Sequence, residues 1–255
     1  MLRVSVITVC YNAADTIEST ITSVLNQNYN NIQYIIIDGN STDDTMAIVN
    51  KYTNKISKIV SEFDKGLYDA INKGIALADG EVIGILNADD VFFDSSTIAK
   101  IITHFEYDTN IKSVFGDIAF INSNKQIIRY YSSKYWTTLS FRFGIMPPHP
   151  SFYCRRDLFT KYGNYRTDFK IAADFELLLR FILIKKVNYK YINNIIVLMK
   201  PGGLSTKNFL SQVIITNELL KACNLNGIYT NRIFISLRYL IKVFQFIPNI
   251  KFKQS

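Results

Sequence analysis

Among 255 residues there are only three cysteines and two histidines, with no Cys-x-x-Cys pair and no Cys/His cluster. Cys10, Cys154 and Cys223 are odd in number and widely spaced, which argues against both a disulfide framework and a zinc site. Reduced, packed thiols are expected. Neither G-x-G-x-x-G nor G-x-x-x-x-G-K-[ST] occurs, so a dinucleotide dehydrogenase or a P-loop ATPase would lack its phosphate-cradling loop. Repeats and low-complexity tracts are also missing. The opening residues Met1–Ile7 have neither a long apolar core nor a small-residue cleavage site, so they read as a strand, and a cytoplasmic protein is expected.

The length suits one α/β domain with extensions, or at most two small domains. Its charge is unevenly divided. Residues 1–110 carry 7 Lys+Arg and 15 Asp+Glu, whereas residues 111–255 carry 22 and 6. An acidic half followed by a basic half suggests a metal-dependent site beside a surface that meets something anionic, with phospholipid, lipid diphosphate and nucleic acid all open.

The stretch Ile83-Gly84-Ile85-Leu86-Asn87-Ala88-Asp89-Asp90 organises the rest, because an apolar run ends abruptly in an amide and two carboxylates. If the run is a buried strand, the acids sit at its carboxyl end, where open α/β sheets bind ligands. Adjacent carboxylates repel unless a cation lies beside them, and hard oxygen ligands suit Mg²⁺ or Mn²⁺. The alternative is an acidic turn before a helix.

Upstream, strand and helix alternate. Val4–Val9 is β-branched; Asp15 with Glu18 makes a capping box for a helix carrying Ile17, Ile21, Val24 and Leu25. Tyr34–Ile37 is a second strand, with Ser41 able to cap a helix running to Tyr52. Lys58–Ser61 is a third, followed by a helix through Leu77. Such alternation implies right-handed crossovers and a largely parallel sheet. Parallel pairing would gather the polar clusters at residues 8–12, 38–45, 62–66 and 87–90 on one edge.

Thr8-Val9-Cys10-Tyr11-Asn12, Asp38-Gly39-Asn40-Ser41-Thr42-Asp43-Asp44-Thr45, the segment Ser61–Ile75 and Asn87-Ala88-Asp89-Asp90 together resemble the family 2 glycosyltransferases with the GT-A fold. The likeness resumes near residues 147–205. It implies a Rossmann-like, mostly parallel sheet flanked by helices, and a nucleotide-sugar donor. On that resemblance the donor site comprises Thr8, Tyr11, Asn12, Asp38, Glu62, Lys65, Lys73 and Asp89. Thr8 and Tyr11 would line the base and ribose pocket, and Asp38 would accept a hydrogen bond from the base. Asp89 would hold ribose or a metal-bound water, and Asp90 would be a direct metal ligand. Two positions depart from the pattern: Asn87 stands where many relatives have an acid, and Ile71 where many have Arg. Phosphate contact would then fall to Lys65 or Lys73, for which solvated helix-end lysines are the alternative.

In the second half, Ser113–Asp117 reads as a strand and Tyr130–Trp136 as an aromatic loop segment that could stack on sugars or simply pack. Met146-Pro147-Pro148-His149-Pro150-Ser151-Phe152 is expected to be stiff and extended around its histidine; it resembles the family's segment facing the acceptor and sugar, which implies an acceptor-side His149, with a core histidine as the alternative. Ile171–Arg180 begins an amphipathic helix whose acids also suit a helix amino terminus. The resemblance implies that Asp174 is the general base of a single inverting displacement, with Glu176 and Arg180 supporting or structural.

Residues 231–247 are mostly apolar, with Arg238, Lys242 and Gln245 as a narrow polar stripe; this is too charged for a bilayer span of about 20 residues and fits an interfacial helix. Packing on protein is the alternative. The expectation is therefore a GT-A domain over 1–210, comprising a nucleotide-sugar-binding half at 1–110 and an acceptor-binding half at 111–210. A basic amphipathic extension over 211–255 completes it. The enzyme would be an inverting transferase using Mn²⁺ or Mg²⁺, a UDP-sugar (GDP-sugar being open) and a saccharide or lipid-linked saccharide acceptor of a cell-surface polysaccharide. Peripheral contact with the inner membrane face through residues 228–255, no nucleic acid and a homo-oligomer complete the reading. A sugar nucleotidyltransferase, and a non-catalytic basic module for membrane or nucleic acid, are the alternatives.

Overall fold

The computed structural model describes residues 1–202 and 209–240. The first half builds β1 (Val4–Cys10), α1 (Ile17–Leu25), β2 (Ile32–Asp38), α2 (Thr45–Asn50), β3 (Lys58–Ser61), α3 (Leu67–Leu77), β4 (Val82–Ile85), the short β5 (Val91–Phe92) and α4 (Thr97–Tyr107). The second adds β6 (Ser113–Ile121), β7 (Ile127–Tyr131), β8 (Tyr153–Arg155), α5 (Asp157–Tyr162), α6 (Ala173–Leu178), β9 (Tyr189–Met199), α7 (Phe209–Leu225) and α8 (Arg232–Ser236). One mixed sheet runs β3-β2-β1-β4-β8-β6-β9-β5, with β7 on β6. The β3-β2-β1-β4 segment is parallel throughout, and β8 joins it to β6 through antiparallel pairs.

The side-chain alternation of β1 and β2 explains the layering. Ile7, Val9, Ile35 and Ile37 face a core shared with α3 and, further along, α5, α6 and α7. Val4, Val6, Tyr34 and Ile36 face the opposite core, which α1, α2 and α4 cover. A strand buried on both faces needs apolar residues in succession, which is the pattern of both strands. Each fully buried Ile or Phe in these layers contributes roughly 1.5–3 kcal/mol. Gly74 lets α3 lie close on β1, because a Cβ there would strike the Ile7 side chain; Gly84 makes room for the ring of Tyr153.

Several local expectations change. No capping box forms at α1: Thr16 occupies the cap without a side-chain capping bond, and Glu18 instead accepts a 2.9 Å bond from the Tyr52 hydroxyl. Ser41 does not cap α2, whose cap is Asp44; its hydroxyl is held by Asp38. Tyr130 and Tyr131 belong to β7 rather than a loop, paired to Ala119 and Ile118. The prolines around His149 do not keep the chain extended, since His149–Ser151 closes a 3₁₀ turn with the Ser151 N–H on the Pro148 carbonyl. Buried on every side, α6 is not amphipathic, and it continues into a π-helical turn over Leu179–Ile184.

At the carboxyl end, α7 packs on α6 and α8 on α7. Arg238 is no part of an exposed stripe: it is buried, and donates to the hydroxyls of Thr216 and Tyr239. Lys242, Gln245 and all of 241–255 lie outside the described residues, as do 203–208 in the segment after Gly202. Among the described residues no helix is long and apolar enough to cross a membrane.

Candidate active site

The carboxyl ends of β1, β2, β3 and β4 lie side by side, and their loops form one edge. Asp38 ends β2 in register with Cys10 and Ser61. It is wholly buried. One of its carboxylate oxygens accepts from the hydroxyl of Ser41 and the Cys10 thiol, and the other from the Ser41 N–H (3.0 Å) and the Ser61 hydroxyl (2.7 Å). Asp38 therefore holds the 38–41 turn, and a direct bond to a nucleobase would require one of these donors to be given up. Thr8 is likewise buried, its hydroxyl 3.2 Å from that of Tyr34, so the side chain faces the core.

Tyr11 is exposed beside this turn. Asn12, in the left-handed region with φ 49°, accepts the Thr42 N–H at 2.9 Å and gives its own N–H to Ser41 at 2.8 Å. These bonds lock the β1 loop to the β2 loop. Asp64, which the motifs did not single out, places one oxygen against Gly39 beside the Tyr11 ring; its other oxygen accepts the Gly66 N–H at 2.7 Å. A Cβ at Gly39 would meet the Asp64 carboxylate, so a larger residue there would displace that side chain.

At β4 the two neighbouring acids separate. Asp89 is exposed, and Asp90 is buried. Burial, with the neighbouring charge of Asp89, pushes the Asp90 carboxyl up to about 8. One of its oxygens meets the Asn87 amide at 3.4 Å, and the other is buried with no partner among the described residues. An ionised carboxylate so placed is costly alone and is stabilised by a cation, so the pair fits a divalent metal. No group of three His, Cys, Asp or Glu side chains among the described residues could enclose an ion. One or two carboxylates from the protein, completed by substrate oxygens, is the usual arrangement for Mg²⁺ on a nucleotide.

From Asn87 a chain of contacts leads to the second half. Its amide lies 3.4 Å from His149 Nε2, and His149 Nδ1 is 3.1 Å from Asp174 Oδ2. Burial pulls the His149 pKa down, but the hydrogen bond and charge of Asp174, with Asp90 and Asp89, outweigh it and leave it raised. The other Asp174 oxygen accepts the Phe175 N–H at 2.8 Å and lies 3.5 Å from the Tyr68 hydroxyl. A partly exposed imidazole paired with a carboxylate can take and orient a proton. Asp90 and Asp174 thus lie at the two ends of one run of contacts. Asp38 lies on the same edge two strands from β4, about 10 Å at ordinary strand spacing.

The remaining expected residues divide. Lys73 is bound to Glu62 at 2.8 Å and donates to the Phe63 carbonyl, so both Glu62 and Lys73 brace the loop after β3. Lys65 is exposed, with its N–H on Asp69. Glu176 and Arg180 point away from His149: Arg180 pairs with Glu176 at 2.9 Å and donates to the carbonyls of Tyr162, Gly163 and Asn164. Of the two roles left open for that pair, the structural one matches these bonds.

Sequence reading passed over Tyr68 and Asn72 as well. Tyr68 donates to the Ile171 carbonyl at 2.5 Å, and Asn72 makes a two-way bridge with the backbone of Tyr165 at 2.8 and 3.0 Å. A polar Asn on an otherwise apolar α3 face was the available signal. A cleft of about 770 Å³ between the end of α4 and the start of β9, lined by His104, Lys186 and Lys190, holds none of the expected site residues.

The family model described as glycosyl transferase family 2 matches residues 5–163. A "PGL/p-HBAD biosynthesis glycosyltransferase" of Mycobacterium bovis is 26% identical over 223 residues, spanning 84% of this chain and 85% of the relative. An Escherichia coli protein, "UDP-Glc:alpha-D-GlcNAc-diphosphoundecaprenol beta-1,3-glucosyltransferase WfaP", is 43% identical over 91 residues, 35% of this chain and 36% of that one. Among solved structures, S. aureus TarS 1-349 in complex with UDP-GlcNAc superposes with a TM-score of 0.69 at 15% identity, covering 96% of this chain and 73% of that chain. Glucosyl-3-phosphoglycerate synthase from Mycobacterium tuberculosis, in complex with Mn²⁺, UDP and phosphoglyceric acid, does so at 0.65 and 16%, covering 90% and 80%. The fold is therefore that of GT-A enzymes, and the match along the chain decides between a transferase of sugars and the nucleotidyltransferase or binding-module alternatives. The chain belongs to glycosyl transferase family 2.

Proposed function

We propose that this glycosyltransferase is an inverting, metal-dependent enzyme that moves a sugar from a UDP-sugar to a hydroxyl of a saccharide or lipid-linked saccharide, in the synthesis of a surface glycan. The observation that carries the reading is the run of contacts Asp90, Asn87, His149, Asp174, which joins an acid at the nucleotide edge to an acid held by the second half. The UDP ligands of the solved relatives, and the UDP-glucose named for the E. coli relative, support the donor class.

Asp174 takes the proton of the acceptor hydroxyl as that oxygen attacks the anomeric carbon, and His149 steadies its carboxylate. Because one base serves a single displacement, the sugar inverts. Asp90, with Asp89 beside it, would hold Mn²⁺ or Mg²⁺, which supplies positive charge against the departing diphosphate. Tyr11 and Asp64 receive the nucleobase, with Asp38 and Asn12 ordering the turn behind it. Lys65 faces the diphosphate. Residues 228–255 contribute peripheral contact with an anionic membrane, through exposed Tyr229, Arg232, Ile233 and Leu240, in a stretch that carries no acid after Asn226 and adds Lys242, Lys251 and Lys253.

The test is nucleotide release from a panel of UDP- and GDP-sugars, with Mn²⁺ and with EDTA. The expected result is UDP release from at least one UDP-sugar that depends on the metal. Equal release with EDTA, or release only from a GDP-sugar, would overturn the corresponding part of the reading.

A further inference from the structure

The family match ends at residue 163, yet Asp174 lies beyond it and is held there by a helix further along still. On α7, Glu218 is half-buried and its carboxylate accepts three successive backbone N–H groups: Lys170 at 2.6 Å on one oxygen, Ile171 and Ala172 at 2.9 Å each on the other. These donors immediately precede α6, whose second residue is Asp174. Unbonded, they would be orphan donors at the start of a buried helix, and no side chain of α6 caps it. A carboxylate from another element takes that place.

Two further residues, one on α7 and one just past it, bond to this segment. Lys221, one turn on, donates to the carboxylate and the carbonyl of Asp168 at 2.7 and 2.9 Å. Asn226, just past the helix end, donates to Glu176 at 3.2 Å. Residues 168–176 are thus splinted along α7, while Tyr68 holds the Ile171 carbonyl from the other side. The threefold bond of Glu218 is charge-assisted and half-buried, whereas the Lys221–Asp168 ion pair is exposed, where such pairs are worth little.

We propose that Glu218 is a positioning residue for Asp174: its carboxylate fixes the 170–172 backbone and thereby the place of the base opposite His149. This rests on the assignment of Asp174 as the base. Removing the charge with Glu218→Gln leaves a side chain of the same size whose amide offers one acceptor oxygen in place of two, so part of the threefold bond is lost. A misplacement of about 1 Å in a reacting group can cost about a hundredfold.

The experiment is a double-mutant cycle on the full chain, with Mn²⁺ and the UDP-sugar from which the wild type releases UDP fastest, water serving as acceptor. UDP binding is measured alongside by calorimetry. Glu218→Gln should lower turnover about ten- to a hundredfold while binding UDP with the wild-type stoichiometry and affinity, and amide exchange at residues 170–174 should speed up. In the Asp174→Asn background the same change should cost less than about twofold, because residues acting as a unit are not additive. Wild-type turnover in Glu218→Gln, or the same loss in both backgrounds, would overturn the positioning role, the second result marking a merely structural one. Wild-type turnover in Asp174→Asn would instead sink the base assignment on which it rests.

Discussion

Residues 4–90 bring their polar loops together by strand order, whereas residues 146–226 bring Asp174 within reach of that edge by side chains that reach across the fold. In the first half every cluster follows a parallel strand, so register alone aligns Asp38 with Cys10 and Ser61. In the second, the bonds that place the segment around Asp174 span 103 positions for Tyr68 to Ile171, 93 for Asn72 to Tyr165 and 47 for Glu218 to Ile171. An edge built from consecutive strand ends is therefore robust to changes later in the chain. The segment around Asp174 depends instead on a few polar contacts from elsewhere in the fold.

That difference is sharpest at Asp174. Asp174→Asn keeps the shape of the side chain and its contact with the Phe175 N–H but removes the proposed proton acceptor; kcat should fall about 10²- to 10⁴-fold with UDP binding unchanged, read by coupled UDP release and calorimetry. A fall confined to KM would place Asp174 in binding instead. Next in size is Asn72→Ala. It strips both backbone partners from Tyr165 and should cost about 2 kcal/mol or more by urea unfolding, since two polar groups lose their bonds. If stability held, Asn72 would not clamp the two halves together, and the acceptor side would owe less to single polar contacts.

The same contrast governs how much of the molecule was legible in its sequence. The strands β1 to β4 and the helix α3 were legible because both-face burial leaves unbroken apolar runs and because their turns carry the family's motifs. The identity of Asp90 as the buried member of its pair was not. Two adjacent carboxylates look alike in sequence, and only the fold decides that one turns inward toward Asn87. Likewise, Glu18 and Ser41 had the local spacing of caps, but each found a better partner from another element, Tyr52 and Asp38. A local rule competes with every long-range donor the fold supplies. Arg238 shows the converse: three positions spaced for one helix face suggested an exposed stripe, yet the first of them packs under α7. Glu218 carried no signal at all, because a carboxylate in the middle of a helix is ordinarily a solvated one.

The smallest expected effect separates the ties of α7 from one another. Asp168 accepts from Arg166 and Lys221, and those bonds hold its carboxyl well below the usual carboxylate range. A depressed carboxyl stabilises the fold above its unfolded pKa and loses that contribution as pH falls through the folded value, so any benefit is present at neutral pH and disappears in acid. All three side chains are largely in water, however, where exposed ion pairs contribute between zero and about 1 kcal/mol and salt screens them. Asp168→Asn should therefore change stability by less than about 1 kcal/mol at neutral pH, with the difference shrinking further in acid or high salt, as followed by urea titration at each condition. Turnover should stay near the wild-type value. A loss of turnover comparable to that of Glu218→Gln would show that the whole face of α7, and not the carboxylate of Glu218 alone, sets the position of Asp174.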